Sequence, residues 1–243
     1  MVKLLEYEAK EILAACDVAV PSHFVAGTKP KFLPAVLKSQ VPTGGRGKAG
    51  GVVIVKTADK YQATVKKLLD LEIKGFRPQT ILAEEVLNIQ NELYLSLFVD
   101  KSAAQVIVMA HKQGGVEVED NVEGSYFKIA IGNGDFDTVG DQLADYYDLP
   151  EKAFVLGESV AHLYDCFVKN DGLLLEINPL VLTADGQLVA GDCKLELDDA
   201  AAFRHPEWQF EAKKTEVNFV TLDQKGNVAT IANGAGLAMA TVD

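Results

Sequence analysis

The stretch Gly172–Lys194, GLLLEINPLVLTADGQLVAGDCK, decides how the rest of the chain is organised. Two runs rich in Leu, Ile and Val flank Ala184-Asp185-Gly186, and Asp-Gly between apolar runs predicts a β-hairpin. Four polar residues interrupt the apolar pattern of its two strands: Glu176, Asn178, Asp192 and Lys194. Strands of this kind tolerate polar groups only where those groups find partners, so the hairpin is a candidate site.

Folding the hairpin about its turn brings Asn178 and Asp192 towards each other. An amide oxygen and a carboxylate are hard donors that suit Mg²⁺, which takes few protein ligands while phosphates and water complete its octahedron. A single Asn or Asp at a strand end more often belongs to an ordinary hydrogen-bonded network. Four polar groups on one hairpin favour a metal site instead. Glu176 and Asn178 are two apart and share a face, whereas Leu175 and Ile177 belong to the apolar layer.

Length, charge and cysteine content narrow the class of protein. The chain has 243 residues and a formal net charge of -12, which suits one large domain or two small ones and argues against nucleic acid as a partner. No basic amphipathic segment, signal peptide or apolar run of spanning length indicates a membrane. Cys16, Cys166 and Cys193 lack CxxC spacing and predict reduced thiols in the cytoplasm.

Hydrophobic periodicity predicts a mixture of helices and strands. Helices are expected over residues 3–16, from just after Thr57, and over 139–147 and 150–169. Strands are expected over 24–26, 35–38, 52–56, 81–86, 92–99, 105–110, 127–131, 218–222 and 227–233. Two prolines between residues 27 and 36 argue against a long helix there. On spacing alone, Glu84 and Glu92 are expected to be exposed.

The segment Pro42–Gly51, PTGGRGKAGG, is the most glycine-dense part of the chain. Glycines let backbone amides approach a phosphate closely, and Arg46 and Lys48 add positive charge. It is not a Walker A loop, because Ala follows Lys48 and the glycine spacing differs. From the residues alone, a phosphate loop and a flexible hairpin turn remain equal alternatives.

Several motifs, in order and spacing, resemble one family. They are LLEYEAKEIL, GGRGKAGG, ILAEEV with NELYLS, MAHKQGGVEVE, LLEINPLVLTADGQLVAGDCKL and VATIANGAGLAMATVD. The chain resembles the β-subunit of succinyl-CoA synthetase (succinate–CoA ligase), an ATP-grasp enzyme, in its N-terminal nucleotide-binding portion. The resemblance runs through essentially the whole chain and implies two α+β lobes that clasp a nucleotide.

The resemblance also implies a domain organisation. An ATP-grasp domain is expected over residues 1–225, with a small lobe near 21–87 and a large lobe formed by 1–20 and 88–225. Residues 226–243 match the start of the family's C-terminal CoA-ligase-type domain, which is expected to be truncated or separately encoded. The chain departs from the family in its short 27–36 segment, in Pro42-Thr43 and in His111-Lys112.

Site residues follow from the resemblance, position by position. The implied nucleotide contacts are Lys38, the phosphate loop Gly45, Arg46 and Gly47, and base and ribose contacts at Glu84–Leu87 and Glu92. The implied Mg²⁺ ligands are Asn178 and Asp192, which the hairpin argument pairs independently. Glu176 matches the glutamate that meets the partner's phosphohistidine, and Asn233 matches a carboxylate-substrate residue.

The function implied is a subunit of a tricarboxylic acid cycle ligase that converts succinyl-CoA, ADP and phosphate to succinate, CoA and ATP, reversibly. The chain would bind Mg²⁺ with ATP or ADP, with GTP not excluded, and exchange phosphoryl with a histidine of a CoA-binding α-subunit in a hetero-oligomer. It would be inactive without that subunit and the C-terminal β domain. The alternatives are another carboxylate–CoA ligase, acting on malate or citrate as ATP citrate lyase does, and a non-catalytic nucleotide-binding assembly module. Glu176 counts against the last, because nucleotide binding alone does not need it.

Overall fold

The computed structural model describes residues 1–115, 125–132, 134–208 and 210, together with 228–231, 234, 237, 240 and 241. Contacts divide the chain into two units, Met1–Lys213 and Lys214–Asp243. The first unit contains two antiparallel sheets and the helices that pack on them. All of the candidate site described below lies in this first unit.

The smaller sheet has four strands in the order β2-β5-β3-β4. They are β2 (His23–Val25), β3 (Ala35–Gln40), β4 (Val52–Val55) and β5 (Thr80–Glu85). One face packs on helix α2 (Ala58–Leu69), whose Tyr61 is fully buried against Leu37. Side chains alternate along a strand, so Lys38 and Glu84 belong to the opposite face. Residues 27–34 contain no helix, as the two prolines predicted.

The larger sheet has seven strands, six of them in the order β1-β11-β9-β6-β7-β8, with β10 pairing with β9. They are β1 (Val2–Lys3), β6 (Ile89–Asp100), β7 (Gln105–His111), β8 (Phe127–Ile131), β9 (Gly172–Thr183), β10 (Leu188–Ala190) and β11 (Cys193–Leu197). Short 3-10 helices cover Pro150–Lys152 and Asp199–Arg204.

Helices α1 (Glu6–Ala14), α3 (Phe136–Tyr147) and α4 (Ala153–Lys169) cover one face of the larger sheet. The helices α3 and α4 approach closely because a Cβ at Gly140 would lie only 2.3 Å from the carbonyl oxygen of Ala153. Leu175 and Ile177 of β9 are fully buried in this core, as the predicted alternation requires. Glu176 therefore belongs to the face that these helices leave uncovered.

The Gly172–Lys194 hairpin is present as predicted. β9 pairs with β10 and β11, and Gly186 takes a positive φ of 85° in the connecting turn. The pairing of β9 with β6 shifts register, so that Asn178 and Pro179 lie opposite the single residue Tyr94. Such a β-bulge bends the strand and redirects a side chain, and bulges are common beside functional sites.

Three expectations for secondary structure differ from the fold or lie outside it. The first helix begins at Glu6 rather than residue 3, because Val2 and Lys3 pair with β11. The strand predicted over 227–233 is wrong for Val228–Ile231, which lie in no strand; Val228 and Ile231 are 87% and 99% exposed. The strand predicted over 218–222 lies outside the described residues. No described helix combines the length and apolarity needed to cross a bilayer.

Candidate nucleotide site

The site begins with the polar side of α1, which the helical periodicity did not single out. Glu6 and Lys10, one turn apart, are only 5% and 0% exposed. Lys10 Nζ donates to Glu6 Oε1 at 2.9 Å, to the carbonyl oxygen of Gly191 at 2.9 Å and to the Glu84 carboxylate. Buried charges persist only when they are paired and hydrogen-bonded, and these are. The available signal was the Glu-Lys pair at i,i+4 spacing within EYEAK.

Lys38 binds the same three acceptors from the smaller sheet. Its Nζ lies 2.8 Å from Glu6 Oε1, 2.7 Å from Glu84 Oε2 and 2.8 Å from the Gly191 carbonyl oxygen. Burial on its own lowers the pKa of Lys38, but Glu6, Asp192 and Glu84 outweigh it and raise the pKa above its ordinary value. The ammonium is therefore held charged and immobile.

Glu84 differs from the expectation drawn from spacing. It was expected to be exposed, but its exposure is 2% because each of its oxygens bonds to a lysine. Glu92 is exposed on β6, as expected. Leu87 is half-buried in the connection between β5 and β6, where the chain crosses from one sheet to the other. The nucleotide-contact roles of these three residues stay predictions.

Arg46 of the glycine-rich segment also contacts these buried charged residues. Arg46 Nη1 donates to Glu6 Oε2 at 2.7 Å, and Nη2 donates to both oxygens of Asp192, at 3.0 and 2.7 Å. Gly45 adopts a φ of 88°, which a side chain would strain, and both Gly45 and Gly47 are exposed. The loop closes through a hydrogen bond from Gly51 N to Arg46 O of 2.8 Å.

Three acids and three bases thus form one connected group, which we call the charge cluster. Its members are Glu6, Lys10, Lys38, Arg46, Glu84 and Asp192. The formal charges balance. Burial raises the pKa of Glu6, but Lys10, Lys38 and Arg46 more than reverse this and hold it well below the ordinary value. The cluster joins helix α1, the smaller sheet, the glycine-rich segment and the β10–β11 connection.

Asn178 and Asp192 lie side by side, as the hairpin predicted. The backbone N–H of Asn178 donates to the carbonyl oxygen of Asp192 at 3.1 Å. The Asp192 side chain is 34% exposed. Burial and then Glu6 raise its pKa, and the opposing effects of Arg46, Lys38 and Lys10 do not fully cancel them. Asn178 Oδ1 accepts from Gly115 N at 2.6 Å.

These two donors fit Mg²⁺ by type. A carboxylate and an amide oxygen are ligands that Mg²⁺ accepts, with phosphate and water oxygens filling the remaining positions. Among the residues that the structure describes, no group of three or more His, Cys, Asp or Glu forms a self-sufficient metal cage. The donor set therefore matches a metal that arrives with a phosphate ligand.

Glu176 lies on the open face of β9, opposite Ser96 of β6 and Lys194 of β11. Tyr94 is close to it, and burial followed by the charge of Glu176 raises the pKa of Tyr94 to about 12. Glu176 is thus next to the Asn178–Asp192 pair but outside the charge cluster. Asn233, the expected carboxylate-substrate residue, lies outside the described residues.

The structure therefore brings together Lys38, Arg46, Glu84 and Asp192, and it seats Asn178 beside Asp192. Glu92 lies near the edge of this group. A Cβ at Gly115, whose φ is 92°, would approach Glu92 Oε2 to 3.3 Å, so Gly115 fits between Glu92 and Asn178. The residues that sequence reasoning missed are Glu6, Lys10 and Gly191.

Comparison with known proteins defines first the class and then the family. A family model described as an ATP-grasp domain matches residues 3–182. This range includes the whole smaller sheet and the larger sheet except Val2, Thr183, β10 and β11. It also includes every residue of the charge cluster except Asp192. The class is therefore ATP-grasp.

Curated relatives match over nearly the full chain. The β-subunit of ADP-forming succinate–CoA ligase from Leptospira biflexa is 36% identical, over 99% of this chain and 71% of the relative. The Aquifex aeolicus β-subunit is 38% identical over 99% and 70%, and the Methanocaldococcus jannaschii β-subunit is 34% identical over the same shares. The chain belongs to the family of ADP-forming succinate–CoA ligase β-subunits.

Solved structures share the fold at lower identity. ATP citrate lyase from Methanothrix soehngenii, in complex with citrate and coenzyme A, superposes with a TM-score of 0.65 at 21% identity, over 86% of this chain and 55% of that one. A dinucleotide-forming acetyl-coenzyme A synthetase from Ca. Korarchaeum cryptofilum gives a TM-score of 0.63 at 18% identity, over 82% and 94%. At these identities the likeness concerns the fold alone.

Proposed function

We propose that the chain binds Mg·ATP or Mg·ADP and exchanges the phosphoryl group with a histidine of a CoA-binding α-subunit, within a succinate–CoA ligase of the cytoplasm. One observation carries the proposal. Lys38 and Arg46, both cationic, converge with the Asn178–Asp192 pair on one point between two sheets. A triphosphate and its metal need this combination of cations and hard oxygen donors.

Phosphoryl transfer depends mainly on positioning and on stabilising charge, so a fixed set of cations suits it. Lys38 gives its three N–H donors to Glu6, Glu84 and the Gly191 carbonyl oxygen, so it would act on a phosphate through its fixed charge and would bond it directly only by releasing one of these acceptors. Arg46 and the backbone amides of the exposed residues Gly45 and Gly47 would supply further donors. Asn178 and Asp192 would hold Mg²⁺, which neutralises phosphate oxygens when bound.

An apolar surface beside Lys38 suits the base of the nucleotide. Val36 pairs directly with Glu84 on one side and Ile54 on the other, so all three belong to the face that carries Lys38. Ile54 is 54% exposed there. A planar base that packs on Val36 and Ile54 would lie next to the Glu84–Leu87 connection, the segment that the family resemblance assigned to base and ribose.

Glu176 suits the acceptor side of the reaction. It is on the open face of β9, two residues from Asn178, and its carboxylate would bond the imidazole of an incoming histidine. A nucleotide-binding module without catalysis would not need this carboxylate, which argues for the enzymatic reading. We take succinate as the acid, coenzyme A and the α-subunit from the named relatives. The solved structures that share only the fold do not favour acetate or citrate over succinate.

The test is phosphorylation of a partner. The chain, supplied with the α-subunit and the C-terminal β domain of the Aquifex aeolicus ligase, is incubated with γ-labelled ATP and Mg²⁺. We expect acid-labile, base-stable label on an α-subunit histidine, and turnover when succinate and CoA are added. Nucleotide binding without any label would leave the assembly-module alternative standing, whereas turnover with citrate or malate but not succinate would change the substrate.

A further inference from the structure

We infer that Arg46 and Mg²⁺ compete for the Asp192 carboxylate, and that the phosphates of the nucleotide, ATP or ADP, resolve the competition by drawing Arg46 away. Metal binding would then depend on nucleotide binding. The inference rests on the proposed function, because it takes Asp192 as the metal ligand and Arg46 as a phosphate ligand.

Arg46 and Mg²⁺ would use the same positions on the Asp192 carboxylate. Arg46 Nη2 bonds both oxygens of Asp192, at 3.0 and 2.7 Å, and so covers the side of the carboxylate that the guanidinium faces. Mg²⁺ binds oxygen at about 2.0–2.1 Å and demands a nearly complete octahedron of ligands around it. The guanidinium occupies the inner lone-pair positions of both oxygens, so Mg²⁺ can take those positions on Asp192 only after Arg46 has left them.

The net charge of the cluster explains why Mg²⁺ would bind together with a nucleotide and not alone. The charge cluster contains three acids and three bases, so it is formally neutral. Bare Mg²⁺ would add two positive charges to a balanced, largely buried group. Mg·ATP carries a net charge of about -2 and brings an acceptor for the displaced arginine, so the released guanidinium is paired again at once.

Of the two carboxylates that Arg46 binds, one is fixed and the other can be released; Nη1 also donates to the Ser39 carbonyl oxygen at 3.3 Å. Glu6 is 2% exposed at its side chain and also binds Lys10 and Lys38, so it is fixed. Asp192 is 34% exposed and therefore within reach of an entering ligand. Glycines on both sides of Arg46 ease a change in backbone angles there. The arginine can thus pivot about Glu6 from Asp192 to a phosphate.

The experiment measures Mg²⁺ binding without nucleotide. Wild type and Arg46→Gln are titrated with MgCl₂ alone, by calorimetry and by the shift in thermal unfolding temperature. We expect Arg46→Gln to bind Mg²⁺ alone about tenfold or more tightly than wild type, and Mg·ADP more weakly. Opposite changes for the two ligands separate this competition from a general loss of folding.

Arg77→Gln is the matched control, because Arg77 is 70% exposed at its side chain and its contact with Glu72 is long, at 3.8 Å. It should match wild type in both titrations. Equal affinity of wild type and Arg46→Gln for Mg²⁺ alone would overturn the inference. If wild type fails to bind Mg·ADP, the proposed function fails, while the comparison with Mg²⁺ alone still tests the competition.

A second variant keeps the test valid if Arg46→Gln does not fold. Asp192→Asn removes the charge that holds Arg46 and leaves one weaker acceptor, so ATP in excess EDTA should bind Asp192→Asn several-fold more tightly than wild type. The same variant should gain little from added Mg²⁺. An unchanged affinity for metal-free ATP would contradict the competition.

Discussion

We expect Glu176 to affect phosphoryl transfer and not nucleotide binding. It lies on the open face of β9, near Tyr94 and outside the charge cluster. We expect Glu176→Gln to leave the affinity for Mg·ADP near that of wild type, because we propose that the side chain contacts the acceptor histidine and not the nucleotide. Phosphorylation of the partner's histidine should slow by about a hundredfold or more, the usual cost of losing a positioned proton acceptor.

Rapid-quench phosphorylation and calorimetry on the same preparation check this prediction. Glu158→Gln serves as a control, since Glu158 is an exposed residue of α4 on the other side of the sheet. If Glu176→Gln phosphorylates the α-subunit at the wild-type rate, Glu176 is a structural residue.

Replacing Lys10 tests whether the charge cluster stabilises the folded protein. Lys10 is fully buried and bonds Glu6, Glu84 and the Gly191 carbonyl oxygen. Lys10→Met keeps much of the volume but leaves two buried carboxylates with one cation fewer, so we expect a loss of about 3–5 kcal/mol in the free energy of unfolding. Urea unfolding measures it. Lys66→Met, on the exposed side of α2, should change stability by less than about 0.5 kcal/mol; an equally small loss in Lys10→Met would show that the cluster is not stabilising.

At the scale of elements, His205 links the end of the last 3-10 helix to Asp171, the residue before β9. Its Nε2 lies 2.6 Å from Asp171 Oδ2, its Nδ1 lies 2.9 Å from Glu207 Oε1, and its ring stacks on Trp208 at 4.2 Å. Arg204 Nε also donates to Asp171 at 2.8 Å. Burial lowers the pKa of His205, but Asp171 and Glu207 outweigh it and raise the pKa above the ordinary value.

Because the pKa of His205 is raised in the folded state, its contribution to the free energy of unfolding must fall as pH rises. Protonated His205 contributes stability that is fully present below its unfolded pKa of about 6.5 and is lost as pH rises through the higher folded value. We expect the unfolding free energy of wild type to exceed that of His205→Gln most at about pH 5.5, and the difference to shrink above about pH 6.5. Urea unfolding across this range measures the difference. A difference that does not change with pH would mean that stacking on Trp208, and not charge, holds the segment.

Elements set by local pattern could be predicted from the sequence, and long-range polar contacts could not. Asp185-Gly186 between apolar runs predicted the hairpin, and its alternation placed Leu175 and Ile177 in the core. The burial of Lys10 depends on Glu84 and Gly191, which are 74 and 181 positions away. Nothing in a helical pattern reveals partners at that distance, so α1 was read by its apolar side alone.

In the candidate site, too, local features could be predicted from the sequence and long-range contacts could not. The proximity of Asn178 and Asp192 followed from strand pairing, and the cation in the glycine-rich segment was visible in the sequence. That Arg46 binds Asp192 required the fold, because the two residues are 146 positions apart and on separate elements. The bulge at Asn178 and Pro179 was also not predictable, since it arises from the register between β9 and β6.

At the scale of the whole molecule, the chain spans 70–71% of the length of the first relatives it matches, and the charge cluster lies entirely in the first unit. We therefore expect nucleotide binding and ligase turnover to be separable. The chain alone should bind Mg·ADP but form no succinyl-CoA from succinate, CoA and ATP. A coupled assay for ADP release checks this, and steady turnover by the chain alone would contradict it.

The central claim is that the convergence of Lys38, Arg46, Asn178 and Asp192 is a site for a nucleotide with its metal. The most direct measurement is calorimetric titration of well-folded protein with ADP, in Mg²⁺ and in EDTA, for wild type and Asp192→Asn. We predict binding by wild type that strengthens at least tenfold with Mg²⁺, and the loss of most of that gain in Asp192→Asn, because the amide keeps the shape but lacks the charge. Absence of nucleotide binding by wild type, or the same Mg²⁺ dependence in both proteins, would contradict the claim.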